Sequence, residues 1–443
     1  METLSGFDWF VDKVHNVFDS LPDSRSYSPN LTYKMRDAAL GAFSVFFSQS
    51  PSFLSYQKSL ETQTGKSNAE SLFKIDKIPT DNQIRNILDS VSPVNLYPIF
   101  SDCYTNMENA GHLKSYRFFE DCLLVAIDGT DYFRSQKLCC PNCSVTKHKN
   151  GKISYSHKVL TPVITQPNSN IVIPLEPEFV TPQDGSKKQD CEINAAKRWV
   201  ERNGHMADQK TIILGDDLFS KEPFCNQLLS KGFHFILVCK PDSHKTLYGY
   251  LNGLNENEDI SVVSRRQWNG KFHERAIYKY CNNLPIKDGE DVLHVNWADV
   301  TILNTKTQET VYHNSFITDF NINDSNIEKI IQSGRARWKV ENENNNVLKT
   351  KGYHLEHNFG HGEMFLASVL VTLNLSAFLS HIFLEFTDKI YSAIRKKLSV
   401  RKIFFQDFKA LTKYLYFNSW YHLMSFMAEK LELNLPDIIT NSS

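Results

Sequence analysis

The sequence has no excess of charge of either sign: 49 Lys and Arg stand against 50 Asp and Glu, a net charge of −1. A polyanionic partner such as DNA must therefore be met by local basic patches and not by bulk charge. There is no internal repeat and no low-complexity tract, which argues against a solenoid or a long disordered tail. The nine cysteines are odd in number and lack the spacing of a disulfide framework, so a small stapled secreted fold is excluded. Residues 1–20 mix Asp8, Asp12, Lys13 and Asp19 with apolar side chains, which is not the pattern of a signal peptide. A reducing cytoplasm is the expected location. Charge is also missing between Glu363 and Glu385, where residues 364–384 are strongly apolar. That length could span a bilayer, but Asn374, Ser376, Ser380 and His381 interrupt it. A buried core helix, and no membrane, is the expectation.

What is present is an ordinary globular composition, 41% hydrophobic and 22% charged, over 443 residues, enough for two to four domains. Residues 1–115 read as helical: 35–47 has helical apolar spacing, and Thr80 can cap a helix whose face is Ile84, Ile87 and Leu88. Arg36 and Arg85 on these helices are available to phosphates. Residues 122–127 (CLLVAI) then form a short apolar run ending at Asp128-Gly129-Thr130, the pattern of a buried strand that delivers a carboxylate at its end. Residues 157–165 and 171–175 are strand-like, 190–203 is helical, 211–214 (TIIL) is a buried strand ending at Gly215-Asp216-Asp217, 221–231 is helical, and 233–239 is a further strand. Three strands, helix, strand, helix, strand is the order of an RNase H-like fold, in which the ends of the first and fourth strands lie side by side. Four strands at 260–266, 273–280, 292–303 and 309–319, with no helix between them, read as an inserted antiparallel β subdomain. Helical signal returns at Ser325 and runs past Lys349. The expected fold class is α/β: a helical, DNA-binding region 1–115, an RNase H-like core 116–244 and 321–385, the β insertion 245–320, and a helical region 386–443. That last region opens with the basic residues Lys389, Arg395, Lys396, Lys397, Arg401 and Lys402.

Asp128 and Asp216, at two strand ends, are candidate ligands for a hard divalent cation, which prefers oxygen donors. A third carboxylate comes from Arg337-Trp338-Lys339-Val340-Glu341, where Arg337 and Glu341 are four apart on one helix face and Trp338 can anchor the helix on the core. Two metal ions held by such acids roughly 4 Å apart activate an attacking oxygen and stabilise a leaving one. This string resembles the signature of bacterial insertion-sequence transposases of the DDE type, in the IS-four-like group that carries a β insertion between its second and third acids. Ala-Ile-Asp128-Gly-Thr is similar to the first-acid motif of that family. Leu-Gly-Asp216-Asp-Leu-Phe219 is similar to its second, whose aromatic three residues on favours Asp216 over Asp217. Glu341 is favoured over Glu343. The signature departs in two places: Lys349 follows Glu341 by eight residues, with Leu348 where Lys is expected, and Gly334 stands where Tyr is expected.

The resemblance covers about residues 120–365. It implies Mg²⁺ or Mn²⁺, two ions, on Asp128, Asp216 and Glu341, and phosphate contacts from Arg337 and Lys349. It also implies double-stranded DNA as substrate (terminal inverted repeats and target DNA), a homodimer or larger synaptic complex, and a bacterial, nucleoid-associated location. A related nuclease that cuts without transposing and a catalytically inactive DNA-binding descendant are the alternatives. Separately, Cys140-Pro-Asn-Cys143 has the gap of a zinc half-site. His148 and His157 can complete a Cys₂His₂ set, and Cys139 can substitute. A plain turn with reduced thiols is the competing reading. The run Tyr353-His-Leu-Glu-His-Asn-Phe-Gly-His361 reads as helix capping or DNA contact before metal binding. Asp190 and Glu192 can reach the acids but are explained equally well by a helix N-terminus.

Overall fold

Apolar runs bounded by turn residues become the strands of a central sheet in the computed structural model, which describes residues 6–25, 31–60, 62–182, 189–254 and 259–435. The strands are β1 Leu123–Ala126, β2 Gly129–Ser135, β3 Ser144–Lys147, β4 Ile153–Leu160, β5 Val163–Thr165, β6 Ile173–Pro174, β7 Glu178–Val180, β8 Thr211–Gly215, β9 His234–Val238, β10 Ser261–Trp268, β11 His273–Pro285, β12 His294–Asn304 and β13 Thr310–Thr318. Nine of them form one sheet in the order β10-β11-β12-β13-β9-β8-β1-β5-β6. Within it β1, β8 and β9 are parallel, and β5 and β13 flank them antiparallel. The parallel strands are buried along their length, all but His234 of β9, because helices cover the sheet. The helix Glu192–Arg202 packs against β7 and β4 with Trp199 wholly buried, its indole N–H donating to the Glu176 carbonyl at 3.1 Å. The protein is thus mixed α/β.

One expected strand is divided and an unexpected one, β2, is added. The run 157–165 is split: β4 belongs to a second sheet, β2-β4-β3 with β7, while β5 pairs with β1. The break is at Thr161-Pro162. Proline has no N–H for a ladder, and Thr161 spends its own on the Asp128 carbonyl, 2.9 Å away. Strand β2 follows Asp128 directly, although Asp-Gly-Thr reads as a turn. The four strands β10 to β13 are consecutive and antiparallel, as expected, and join the core sheet through β13 and β9. A helix, Lys245–Asn252, precedes them.

The helices before β1 and those after residue 366 share one core. Phe7 stacks on Trp420 with ring centroids 4.6 Å apart, and the Asn68 amide donates to the carbonyls of Thr412 and Leu415 at 2.7 and 2.8 Å. At the centre lies Leu366–Thr387, long and apolar enough to cross a bilayer but buried inside the protein from Val369 to Leu384. Its polar residues are used internally. Asn374 donates to the Tyr353 carbonyl at 2.7 Å, Ser376 and Ser380 bond back to their own helix, and His381 Nδ1 meets the Tyr353 hydroxyl at 2.6 Å. Arg36 and Arg85 are also spent: Arg36 pairs with Asp19 and Asp76, and Arg85 with Asp81 and the Phe359 carbonyl. Neither is therefore available to a phosphate, contrary to what the sequence suggests.

Burial, reinforced by the charges of Arg401 and Arg395, holds His381 well below its ordinary value of 6.5. The unfolded chain takes up a proton at this residue below that pH and the folded chain does not. Its contribution to stability is therefore complete above pH 6.5 and is lost as pH falls, by about 1.4 kcal/mol per pH unit. Urea titrations at about pH 7.5 and about pH 5.5 are expected to show this decline, and His381→Phe to reduce it; an unchanged slope in the variant would exclude His381 as a source.

Candidate active site

The parallel register of β1 and β8 aligns Leu123 with Thr211, Leu124 with Ile212, Val125 with Ile213 and Ala126 with Leu214. Asp128 and Asp216 each lie two residues beyond the last pair, so they leave the sheet from neighbouring strand ends, spaced about 4.8 Å apart. The Ile127 N–H donates to the Leu214 carbonyl at 2.9 Å and keeps the strands together to the edge of the site.

Glu341 arrives from a different part of the chain. The helix Ile327–Arg335 ends at Ala336, a turn carries Arg337, and Val340–Asn345 is wound as a π-helix before Asn346–Thr350 resumes the α form. The expected continuous helix is therefore interrupted where the candidate residues lie. The Thr161 hydroxyl donates to Asn345 Oδ1 at 2.8 Å, and Asn344 donates to the same oxygen at 3.0 Å. Thr161 also bonds the Asp128 carbonyl, so one buried threonine ties the first acid to the segment bearing the third. On the other side of the turn, Lys339 is buried and its ammonium caps the carbonyls of Pro167 and Ser169. Trp338, expected to anchor this helix, is instead exposed; Val340 and Lys339 are the anchors. Gly334 has a packing cause: a Cβ there would lie 2.7 Å from the Phe316 ring and 3.0 Å from Ile236, which excludes the Tyr of the resemblance.

The electrostatics centre on Asp128. Burial pushes its carboxyl up to about 7; the Arg337 guanidinium opposes this, and the charges of Asp216, Glu192 and Glu341 add to it. Three carboxylates thus oppose the ionisation of Asp128, and one guanidinium favours it. The neighbouring acids are discriminated. Asp217 accepts the Lys240 N–H at 2.7 Å and the Ser243 hydroxyl, so it secures the 240–243 turn, whereas among the described residues the Asp216 carboxylate accepts only the Leu218 N–H of its own turn. Glu343 faces the Lys339 charge, and Glu341 faces Asp128. Glu192 does reach the site: it lies against Gly129, where any Cβ would collide with its carboxylate, and it pairs with Lys158 at 3.1 Å. Asp190 does not; it is buried against Arg198 and the Thr181 N–H. Lys349 is paired with Glu356 at 2.9 Å. A cleft bordering the turn is lined by Glu343, Lys351, Arg395, Arg401 and Lys402.

The soft ligands gather elsewhere. Cys140, Cys143 and His157 converge as expected, but His148 does not join them: its Nε2 bonds Ser154 Oγ at 2.8 Å, closing its own hairpin. The fourth member is His361, from the histidine run beyond Glu341. Cys139 is exposed and outside the cluster. No protein-family model matches this chain, and no curated protein matches it.

Proposed function

We propose that the protein is a DDE-type DNA transposase with an RNase H-like catalytic core, and that Asp128, Asp216 and Glu341 are its metal-binding acids. The observation that carries the reading is the convergence of three carboxylates, from β1, β8 and the Val340–Asn345 turn, around a half-buried Asp128. The donor set fits a hard divalent cation: it is all oxygen, and its negative charge exceeds what Arg337 neutralises. Mg²⁺ or Mn²⁺ held there supplies activation of the attacking hydroxyl or water and stabilisation of the leaving oxygen. Arg337 adds a fixed positive charge for a phosphate beside the acids. Thr161 and Asn345 hold the first and third acids in register, and Asp217 keeps the loop after β8 from drifting. The basic cleft beside Glu343, with the exposed Lys396, Lys397 and Lys402, offers a path for the DNA backbone, whose contacts are salt-sensitive because they displace counterions. Lys349 would need to leave Glu356 to reach a phosphate.

The test uses the purified chain with Mg²⁺ or Mn²⁺, a duplex ending in the DNA that flanks its gene, and a second duplex as target. Cleavage at the element end followed by joining is expected. Cleavage without joining would favour a nuclease that does not transpose, and failure to bind Mn²⁺ or cut any duplex would overturn the enzymatic reading.

A further inference from the structure

We propose that Cys140, Cys143, His157 and His361 bind one Zn²⁺, which fastens the hairpin after Asp128 to the segment after the Glu341 turn. Four of the six ligand–ligand distances match the edges of a tetrahedral metal centre. Cys140 Sγ and Cys143 Sγ are 3.8 Å apart. His157 Nε2 is 3.4 Å from the first sulfur and 3.3 Å from the second, and His361 Nε2 is 3.6 Å from Cys143 Sγ. All four ligand atoms lie within 4.8 Å of one another. With Zn–S bonds of about 2.3 Å and Zn–N bonds of about 2.0–2.1 Å, tetrahedral edges are about 3.8 Å between sulfurs and about 3.5 Å between sulfur and nitrogen.

The surroundings suit a structural metal. The Cys140 N–H donates to Cys143 Sγ at 3.3 Å, and the Cys143 N–H to the Cys140 carbonyl at 3.1 Å, a tight turn with an amide already aimed at one sulfur. Tyr132 and Phe133 flank His157, and Phe133 also packs on His361 with ring centroids 4.4 Å apart. These rings restrict the orientation of both imidazoles. The donor set contains no carboxylate, so a borderline-soft ion is preferred over Mg²⁺. Binding releases both thiol protons, and two thiolates cancel the ion's charge, which makes a neutral centre compatible with the burial of Cys143 and His157.

Its position gives the ion a task. His157 lies on β4, which ends at Leu160, next to the threonine that bonds both Asp128 and Asn345. His361 is 218 residues from Cys143 and follows the Glu341 turn. A metal here closes the loop of chain that carries Asp216 and Glu341, while being bound independently of any DNA chemistry.

The experiment measures zinc in the full chain purified without added metal or DNA, and the absorption of its Co²⁺ derivative. One zinc per chain, and thiolate-to-cobalt charge transfer with tetrahedral visible bands, are expected. His361→Ala and Cys143→Ser should lose the metal and His148→Ala should keep it. Wild-type protein that holds no zinc and gives no thiolate–cobalt band overturns the site, whether or not the variants fold. A His361→Ala chain that holds zinc as tightly as wild type overturns the cross-link. A zinc-loaded chain that cuts no DNA would count against the transposase reading and leave this site standing.

Discussion

Asp128→Asn is expected to abolish metal-dependent DNA cleavage while leaving the fold intact. The amide has the shape of the carboxyl and keeps the Asp128 backbone carbonyl on which Thr161 is anchored. What it removes is one anionic ligand whose charge Asp216, Glu192 and Glu341 already oppose. A bound cation contributes several kcal/mol of charge stabilisation to a phosphoryl-transfer barrier, and each 1.36 kcal/mol is tenfold, so the rate should fall by about 10³-fold or more. Two further readouts separate this from damage to the fold. In EDTA the variant should melt at or above the wild-type temperature, because a repelled charge has gone. Added Mn²⁺ should raise the wild-type midpoint by a few degrees through ligand linkage and leave the variant's unmoved. Asp217→Asn supplies the contrast: it should cost stability, through the 240–243 turn, and retain cleavage. An Asp128→Asn protein that cuts as wild type does would remove the three acids from the mechanism.

The parts of this site that were legible in the sequence are those set by local pattern. A four- to six-residue apolar run that stops at an acid is what a buried parallel strand looks like, and both 122–127 and 211–214 became one. The parallel pairing that makes Asp128 and Asp216 neighbours followed from the order of strands and helices. What remained hidden depends on partners distant along the chain. Thr161-Pro162 breaks a continuous apolar run only because Thr161 is captured by Asp128 and Asn345. The kink at residues 336–337 and the π turn are set by packing: Gly334 under Phe316, and Lys339 reaching Pro167 and Ser169. The zinc set shows the same division. Spacing picks out Cys140, Cys143 and the nearby histidines, but between His148, 5 residues from Cys143, and His361, 218 away, only the fold decides. The histidine run at 354–361 was the available signal, and its pairing with the cysteines is a tertiary fact. Trp338 differs for a related reason: helical spacing predicts a buried face, but a turn at Ala336–Arg337 interrupts the helix and Trp338 is exposed.

A second large effect is expected at a residue with no part in the chemistry. Asp89→Ala should destabilise the protein by about 3–4 kcal/mol, more than a typical helix cap, because charged hydrogen bonds contribute about 1.5–3 kcal/mol each and do not add fully. Asp89 ends the helix Asp81–Leu88, yet its carboxylate caps another helix nearly three hundred residues further on. Oδ2 accepts the Glu363 N–H at 2.9 Å, and Oδ1 accepts those of Met364, Phe365 and Leu366 at 3.0, 3.2 and 3.0 Å. These are donors at and just before the start of Leu366–Thr387, which that helix cannot satisfy for itself, and a negative charge there also opposes the helix dipole favourably. The fit is close: Gly362 has φ +66°, and any Cβ at that position would collide with the Asp89 carboxylate. Since Leu366–Thr387 is the helix around which the N- and C-terminal helices pack, the loss should appear in the global unfolding midpoint and not as local fraying. Asp89→Asn, which keeps acceptor capacity through one oxygen without the charge, should lose about half as much. Urea unfolding of the three proteins measures both. The segment so held leads out of His361, so Asp89→Ala should also weaken metal retention by the Cys₂His₂ cluster. A variant within about 0.5 kcal/mol of wild type, the range of an ordinary surface change, would mean that solvent replaces the cap at no cost.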